Sequence, residues 1–294
     1  MIARMFSSES MKLVSTIAIL GVALASGCKL YTMQAAAPSD APSAQATPSV
    51  TKTATKWKTV EEFDYAWRPG QASAHFKLEL PEGYDDPGDF TRIHIQVKGQ
   101  PEFVLDNQDG WIAYNSQEQP SDVYAKLAKQ NLAQSKYVLV LPDSPSASEP
   151  PLLFLRSWVY ASDAERLHVI GFKPSGGPIT LLNTELDLEA VVDLDSDGHP
   201  EIVVMPCMSQ ESGPGILTYD PHHVYKVPHP ITEPAKLSVE LSKAYNLKHY
   251  YGWAGPDCSE KLVVVLHPPS GGKPVIMDAA EAEKLMKQAP NRKK

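Results

Sequence analysis

One short turn between two apolar runs has the residue types and spacing of a cation site. Carboxylates stand at Asp193, Asp195 and Asp197, and a fourth, Glu201, follows Gly198, which permits a sharp turn. Crowded carboxylates repel one another unless a cation joins them, and calcium prefers oxygen ligands, including a backbone carbonyl. We therefore expect calcium at this turn. The alternative is a solvated Asp-rich turn that holds no metal.

The segment resembles the calcium loops of FG-GAP and VCBS repeats, because strand-like runs flank it on both sides. An EF-hand is a poorer match, since Val204 stands where that motif needs Glu and no helices flank the loop. FG-GAP repeats build propellers, but the sequence holds no second copy of the loop, so we expect no complete propeller. The resemblance implies calcium ligands at Asp193, Asp195, Asp197 and Glu201, with His199 binding through its backbone carbonyl.

The N-terminal region has the pattern of an export signal. An uncharged run from Leu13 to Gly27 follows Lys12, and it is shorter than the roughly 20 residues that cross a bilayer. The run ends L-A-S-G-C, which resembles the lipobox of bacterial lipoproteins, although Ala25 stands where Leu is more common. The resemblance implies cleavage after Gly27 and lipid attachment to Cys28. The alternative is ordinary secretory cleavage after Ala25, which leaves a soluble protein.

A segment of different amino-acid composition follows the signal. Residues 28–56 are rich in Ala, Pro, Ser and Thr, and such a segment cannot bury enough apolar surface to fold, so we interpret it as a disordered tether. Lys29 stands where Asp retains enterobacterial lipoproteins in the inner membrane. The resemblance therefore implies an outer-membrane lipoprotein facing the periplasm or the cell surface. The domain plan is a signal over 1–27, a tether over 28–56 and a folded body over 57–294.

Charge and composition exclude several classes of protein. The chain carries a net charge of −8, and the folded body alone carries −11 because the signal and tether are basic. Nucleic-acid binding requires a basic surface that replaces counterions, so no nucleic-acid partner is expected. A composition of 43% hydrophobic and 21% charged residues indicates a folded body, neither wholly disordered nor a multi-span membrane protein.

The periodicity of the body predicts an α+β fold that is rich in β-strands, in mostly antiparallel sheets with about three helices. Two clear examples of period-two alternation are 73–80 and 92–97. We expect one helix of about 14 residues capped by Ser121, one opening at Pro234 with Leu237, Leu241 and Ala244 on one face, and one capped by Asp278. A Pro/Ser-rich run, 142–151, marks either a domain boundary or a long surface loop.

Two cysteines remain once Cys28 is lipidated. In an oxidising compartment Cys207 and Cys258 form an even pair, and we expect a disulfide between them. Closing a loop of about 52 residues stabilises a fold by about 4 kcal/mol in the chain-entropy model. The alternative is a catalytic thiol, for which the sequence identifies no base.

Aromatic residues concentrate between positions 219 and 253. They suggest a face that stacks on sugars or docks a protein, with core packing as the alternative. Zinc at His222 and His223, with Asp220 and His229 nearby, is disfavoured. Adjacent histidines point apart in a strand, and the Pro-rich setting suggests a loop. The predicted binding face comprises Tyr219, Tyr225, Tyr250, Tyr251 and Trp253.

These patterns favour a lipid-anchored bacterial envelope protein with a calcium-stabilised binding or structural module. Its expected partners are the membrane, through the lipid, and an envelope protein or glycan. The alternative is a periplasmic hydrolase acting on cell-wall or carbohydrate material, which would need a cleft with paired carboxylates away from the calcium loop. The sequence contains no GxSxG, HExxH or CxxC motif.

Overall fold

Antiparallel pairing organises the folded body. Within the described residues, sixteen strands pair into four sheets of four strands, and no sheet closes on itself. Cys28 and the predicted signal lie outside the described residues, as does most of the predicted tether. The computed structural model describes residues 55–67, 73–86, 88–114, 122–144, 150–158, 165–206 and 209–288.

The first two sheets are simple meanders, in which strands that are consecutive in sequence are also neighbours in space. Sheet 1 comprises β1 (Trp57–Ala66), β2 (Ser73–Pro81), β3 (Phe90–Val97) and β4 (Phe103–Trp111). Sheet 2 comprises β5 (Leu139–Leu141), β6 (Leu152–Trp158), β7 (Glu165–Phe172) and β8 (Pro178–Glu185).

The last two sheets are interleaved along the chain, because β11 and β12 are inserted between two strands of sheet 3. Sheet 3 has the order β14-β13-β10-β9, and sheet 4 has the order β11-β12-β15-β16. Sheet 3 comprises β9 (Asp187–Val192), β10 (Glu201–Met205), β13 (His223–Lys226) and β14 (Lys236–Leu237). Sheet 4 comprises β11 (Glu211–Gly213), β12 (Ile216–Tyr219), β15 (Ser259–Val265) and β16 (Val275–Asp278).

Sheet 2 is buried on both faces. In β6, Leu153 and Leu155 belong to the same apolar cluster as the buried residues of sheet 1. Leu152 and Phe154, on the opposite face, belong to the cluster that includes buried residues of sheet 3. This double burial explains why β6 begins with a continuous apolar run, Leu152 to Leu155, since alternation is expected only where one face meets water. The alternating strand β2 instead has a single buried face.

Three α-helices complete the described residues: α1 (Asp122–Leu127), which continues as a 3₁₀ turn to Gln130, α2 (Val239–His249) and α3 (Ala279–Gln288). The first helix is shorter than predicted, and Ser121 lies outside the described residues. Helix α3 begins as predicted, because Oδ1 of Asp278 accepts a hydrogen bond from the Ala280 amide at 2.8 Å.

The second helix differs from its prediction in start and in buried face. It begins after Ser238, whose hydroxyl accepts a hydrogen bond from the Leu241 amide at 3.3 Å. The buried residues of α2 are Ser242 and Asn246, while Ala244 is exposed. Polar side chains that bond to a neighbouring backbone therefore dock this helix, which an apolar periodicity does not reveal.

The prediction of a β-rich fold with mostly antiparallel sheets and about three helices is confirmed. The label α+β fits only loosely, since the three helices hold 6, 11 and 10 residues. The described residues from Thr55 onward belong to one compact unit. Among them, no helix is both long and apolar enough to cross a membrane.

Candidate functional site

The Asp-rich loop forms the turn between the antiparallel neighbours β9 and β10. The register pairs Glu201 with Val192, so the strands fix both ends of the loop. Ser196 and Gly198 have φ angles of 62° and 91°, which reverse the chain within a few residues. The carboxylates of three residues come together, each offering an oxygen within 4.8 Å of the others: Asp193, Asp195 and Asp197.

Hydrogen bonds to the loop's own backbone hold these carboxylates in place. Asp195 Oδ1 accepts from the amide of Asp197 at 3.2 Å, and Asp193 Oδ2 accepts from the amide of Gly198 at 3.0 Å. Asp197 Oδ1 accepts from the amide of His199 at 3.0 Å. In each carboxylate one oxygen shapes the loop, so the other is available to a cation.

A cationic side chain from the next strand of the sheet already lies at this cluster. Lys226 Nζ, on β13, bonds to Oδ2 of Asp195 and lies 2.8 Å from Oδ2 of Asp197. These hydrogen bonds raise the pKa of Lys226 above its ordinary value and lower that of Asp197. The carboxylates thus attract positive charge, and calcium would have to displace the ammonium group from them.

Glu201 lies outside the cluster of three carboxylates. Its side chain is 1% exposed, and Oε2 accepts a hydrogen bond from the Leu194 amide at 2.7 Å. Burial raises the pKa of Glu201, opposed by that hydrogen bond. In this arrangement Glu201 ties the start of the loop to β10.

The imidazole of His199 takes part in a second group that the sequence did not suggest. Its ring stacks on that of His229, with ring centres 3.5 Å apart and an angle of 17° between the planes. Its Nδ1 lies 3.1 Å from the backbone oxygen of Asp143. These residues lie 56 and 30 positions from His199, so no short motif could have indicated them.

A cleft of about 330 Å³ lies between sheets 3 and 4. Leu217, Val264 and Ile276 contribute apolar lining from sheet 4, while Glu189 contributes a carboxylate from β9. Three of the predicted aromatic residues line it: Tyr219, Tyr250 and Tyr251. The other two, Tyr225 and Trp253, are half-buried and are not among the described lining residues.

Polar contacts order one end of the cleft. The Tyr250 hydroxyl donates to Oε1 of Glu189 at 3.3 Å, and the Tyr250 ring stacks on His222 at 3.9 Å. Asn246 accepts from the amide of His222 and donates to its carbonyl, at 3.0 and 2.7 Å. Burial lowers the pKa of His222 to about 4, so this imidazole is neutral at pH 7. His223 points elsewhere, with Nε2 at 2.6 Å from the carbonyl of Pro256.

The remaining predicted site residues are the two cysteines. Cys258 is half-buried just before β15. Cys207 lies outside the described residues, so the disulfide between them stays a prediction.

Three comparisons with known proteins returned no relative. No protein-family model, curated protein or solved structure matches this chain. The functional argument therefore depends on the sequence and on the geometry of the loop and the cleft.

Proposed function

We propose that this chain is a lipid-anchored bacterial envelope protein whose body, stabilised by calcium, binds an envelope glycan in the cleft between sheets 3 and 4. The observation that carries the proposal is the cleft itself, because Tyr219, Tyr250 and Tyr251 line it together with the carboxylate of Glu189. Aromatic faces stack on sugar rings, and carboxylates accept hydrogen bonds from sugar hydroxyl groups.

The charge of the lining favours a neutral or amino sugar. Among the described residues that line the cleft, Glu189 and Asp220 are acidic and none is Lys or Arg. His222 is neutral at pH 7, so it adds no positive charge. An anionic ligand would meet repulsion without compensation.

Calcium is proposed to support the cleft through β9. This strand ends at the Asp-rich loop and also carries Glu189. Fixing the turn between β9 and β10 would therefore fix one wall of the cleft. The donor set fits calcium, since three carboxylates converge and attract the ammonium group of Lys226.

The remaining parts of the proposal come from the sequence. Cys28 carries the lipid that attaches the body to the outer membrane, and Cys207 pairs with Cys258. The body is an α+β domain that is not a complete propeller, supported by its single Asp-rich loop and by the interleaving of sheets 3 and 4.

Calorimetric titration of the full-length protein with neutral cell-wall glycan fragments, oligomers of N-acetylglucosamine, tests the cleft. We expect saturable binding that Glu189→Gln weakens by about tenfold, because the variant loses a charged hydrogen-bond acceptor. Glu211→Gln, which changes an exposed carboxylate on β11, is the matched control and should bind like the wild type. Equal affinity of Glu189→Gln and wild type would contradict the assignment of the cleft.

The hydrolase remains a second candidate because two carboxylates, Glu189 and Asp220, line the same cleft. The same titration samples distinguish the two functions when they are analysed by mass spectrometry after incubation. Intact fragments support a binding module. Shortened fragments that appear with the wild type but not with Glu189→Gln would contradict the binding module and support the hydrolase.

A further inference from the structure

We propose that Asp143, His199 and His229 form a site for a divalent transition metal, with zinc as the best-fitting ion. Its ligand atoms are distinct from the three loop carboxylates proposed to bind calcium, although His199 belongs to the same loop, and none of its residues lines the cleft. Its three residues come from three segments: the connection after β5, the Asp-rich loop and the connection after β13. Nothing in the sequence places them together.

The ligand types suit zinc better than calcium. Zinc takes imidazole nitrogen and carboxylate oxygen in a tetrahedral arrangement, whereas calcium requires oxygen. Asp143, His199 and His229 offer two imidazoles and one carboxylate, with one atom from each residue within 4.8 Å of the others.

The distances agree with the edges of a small tetrahedron. Asp143 Oδ2 lies 3.4 Å from Nδ1 of His229 and 3.9 Å from Nδ1 of His199. Ligand atoms about 2.0 Å from a tetrahedral zinc ion are about 3.3 Å apart. These distances would need only a small contraction, but binding would also break the contact of His199 Nδ1 with the Asp143 carbonyl and change the orientation of a ring.

The environment also fits a metal site. Asp143 is 2% exposed, so its carboxylate lies inside the fold, whereas the side chains of His199 and His229 are 25% and 19% exposed. An ion can thus enter from the histidine side. The rings are now stacked face to face, so binding turns one imidazole about its Cβ–Cγ bond until a nitrogen lone pair faces the ion.

Zinc would join the Asp-rich loop to two other connections of the fold. Because three protein ligands leave one tetrahedral position, the fourth ligand would be water or a group of a bound molecule. Since His199 lies between Asp197 and Glu201 in the chain, zinc would also hold the backbone of the calcium loop.

The test is a calorimetric titration of the chelator-treated full-length protein with zinc chloride alone. Millimolar calcium is present throughout, so that the Asp-rich loop does not compete for zinc. We expect one zinc ion per chain, and His229→Ala and His199→Ala should each weaken binding at least tenfold. His267→Ala is the control. It removes an exposed histidine that follows β15 in the sequence, and it should leave the zinc affinity unchanged.

Two further measurements make the test specific. Cobalt, used as a visible probe, should give the intense absorption of tetrahedral coordination, and this band should vanish in both histidine variants. Asp195→Ala should keep zinc binding, which separates this site from the calcium proposal. Circular dichroism establishes that each variant is folded before titration. Wild-type zinc affinity in a folded His229→Ala or His199→Ala variant, or no stoichiometric zinc in the wild type, would overturn the proposal.

Discussion

At the scale of single residues, the sequence predicted that four carboxylates would converge; three of them cluster, whereas Glu201 lies outside the cluster, and the contacts of the loop were not predicted. Asp193, Asp195 and Asp197 lie on alternate positions of a tight turn, so their convergence follows from local geometry. Lys226 stands 31 residues after Asp195, and only the pairing of β10 with β13 brings it to the loop. The stacking of His199 on His229 depends on non-local structure in the same way.

The contact of Lys226 with the loop leads to a prediction about calcium. Lys226→Gln removes a cation that neutralises two carboxylates, so the calcium-free protein should melt about 2 °C lower, as expected for the loss of a partly exposed ion pair. Calcium should then raise the melting temperature more than it does in the wild type, because it no longer displaces an ammonium group. Thermal melts in calcium and in EGTA measure both effects.

Lys287→Gln is the control for this prediction. Lys287 pairs with Glu283 within α3, a helix that packs on β15 and β16 of sheet 4, and its side chain is 72% exposed. Its calcium-induced shift should equal that of the wild type. A calcium shift in Lys226→Gln no larger than the wild-type shift would show that Lys226 does not compete with the ion.

At the scale of elements, strands with one buried face were predictable and the docking of α2 was not. In β2 and β3, apolar and polar residues alternate along most of the strand, and most of the apolar residues are buried. The helix instead buries Asn246, whose side-chain amide satisfies the amide and carbonyl of His222. A polar residue bonded to a distant backbone leaves no mark in hydrophobic periodicity.

Because α2 docks through polar side chains, we expect the loss of a buried polar residue to destabilise the protein more than the loss of an exposed leucine. Asn246→Ala should lower the free energy of unfolding by about 2 kcal/mol, because it leaves two buried backbone groups of His222 unsatisfied. Leu247→Ala, at the adjacent and 56% exposed position, should change it by less than about 0.5 kcal/mol. Urea unfolding curves measure both. A larger effect at Leu247 would contradict the polar docking of this helix.

At the scale of the whole molecule, the sequence predicted β-rich composition but not the order of the sheets. Sheets 1 and 2 use consecutive strands, whereas β11 and β12 interrupt sheet 3 to begin sheet 4. This insertion places Tyr219 and Tyr250 in a common cleft. Strand pairing across such separations depends on tertiary packing, which residue patterns do not encode locally.

The proposed anchor is a property of the whole molecule and has its own test. In cells fed a palmitate analogue, the full-length protein should be labelled and should sediment with membranes, whereas Cys28→Ala should lose the label. Cys258→Ala controls for general cysteine acylation and should keep the label. Persistent labelling of Cys28→Ala would contradict lipid attachment to Cys28.

The most direct test of the central claim is the effect of calcium on the thermal unfolding of the full-length protein. With an affinity near 10⁻⁴ M, millimolar calcium stabilises a fold by about 1 to 1.5 kcal/mol, which corresponds to a rise of about 3 °C for a body of this size. We expect this rise in the wild type and in Asp85→Ala, an exposed control, and its loss in Asp195→Ala. Identical melts of the wild type in calcium and in EGTA would contradict the proposed calcium-stabilised module.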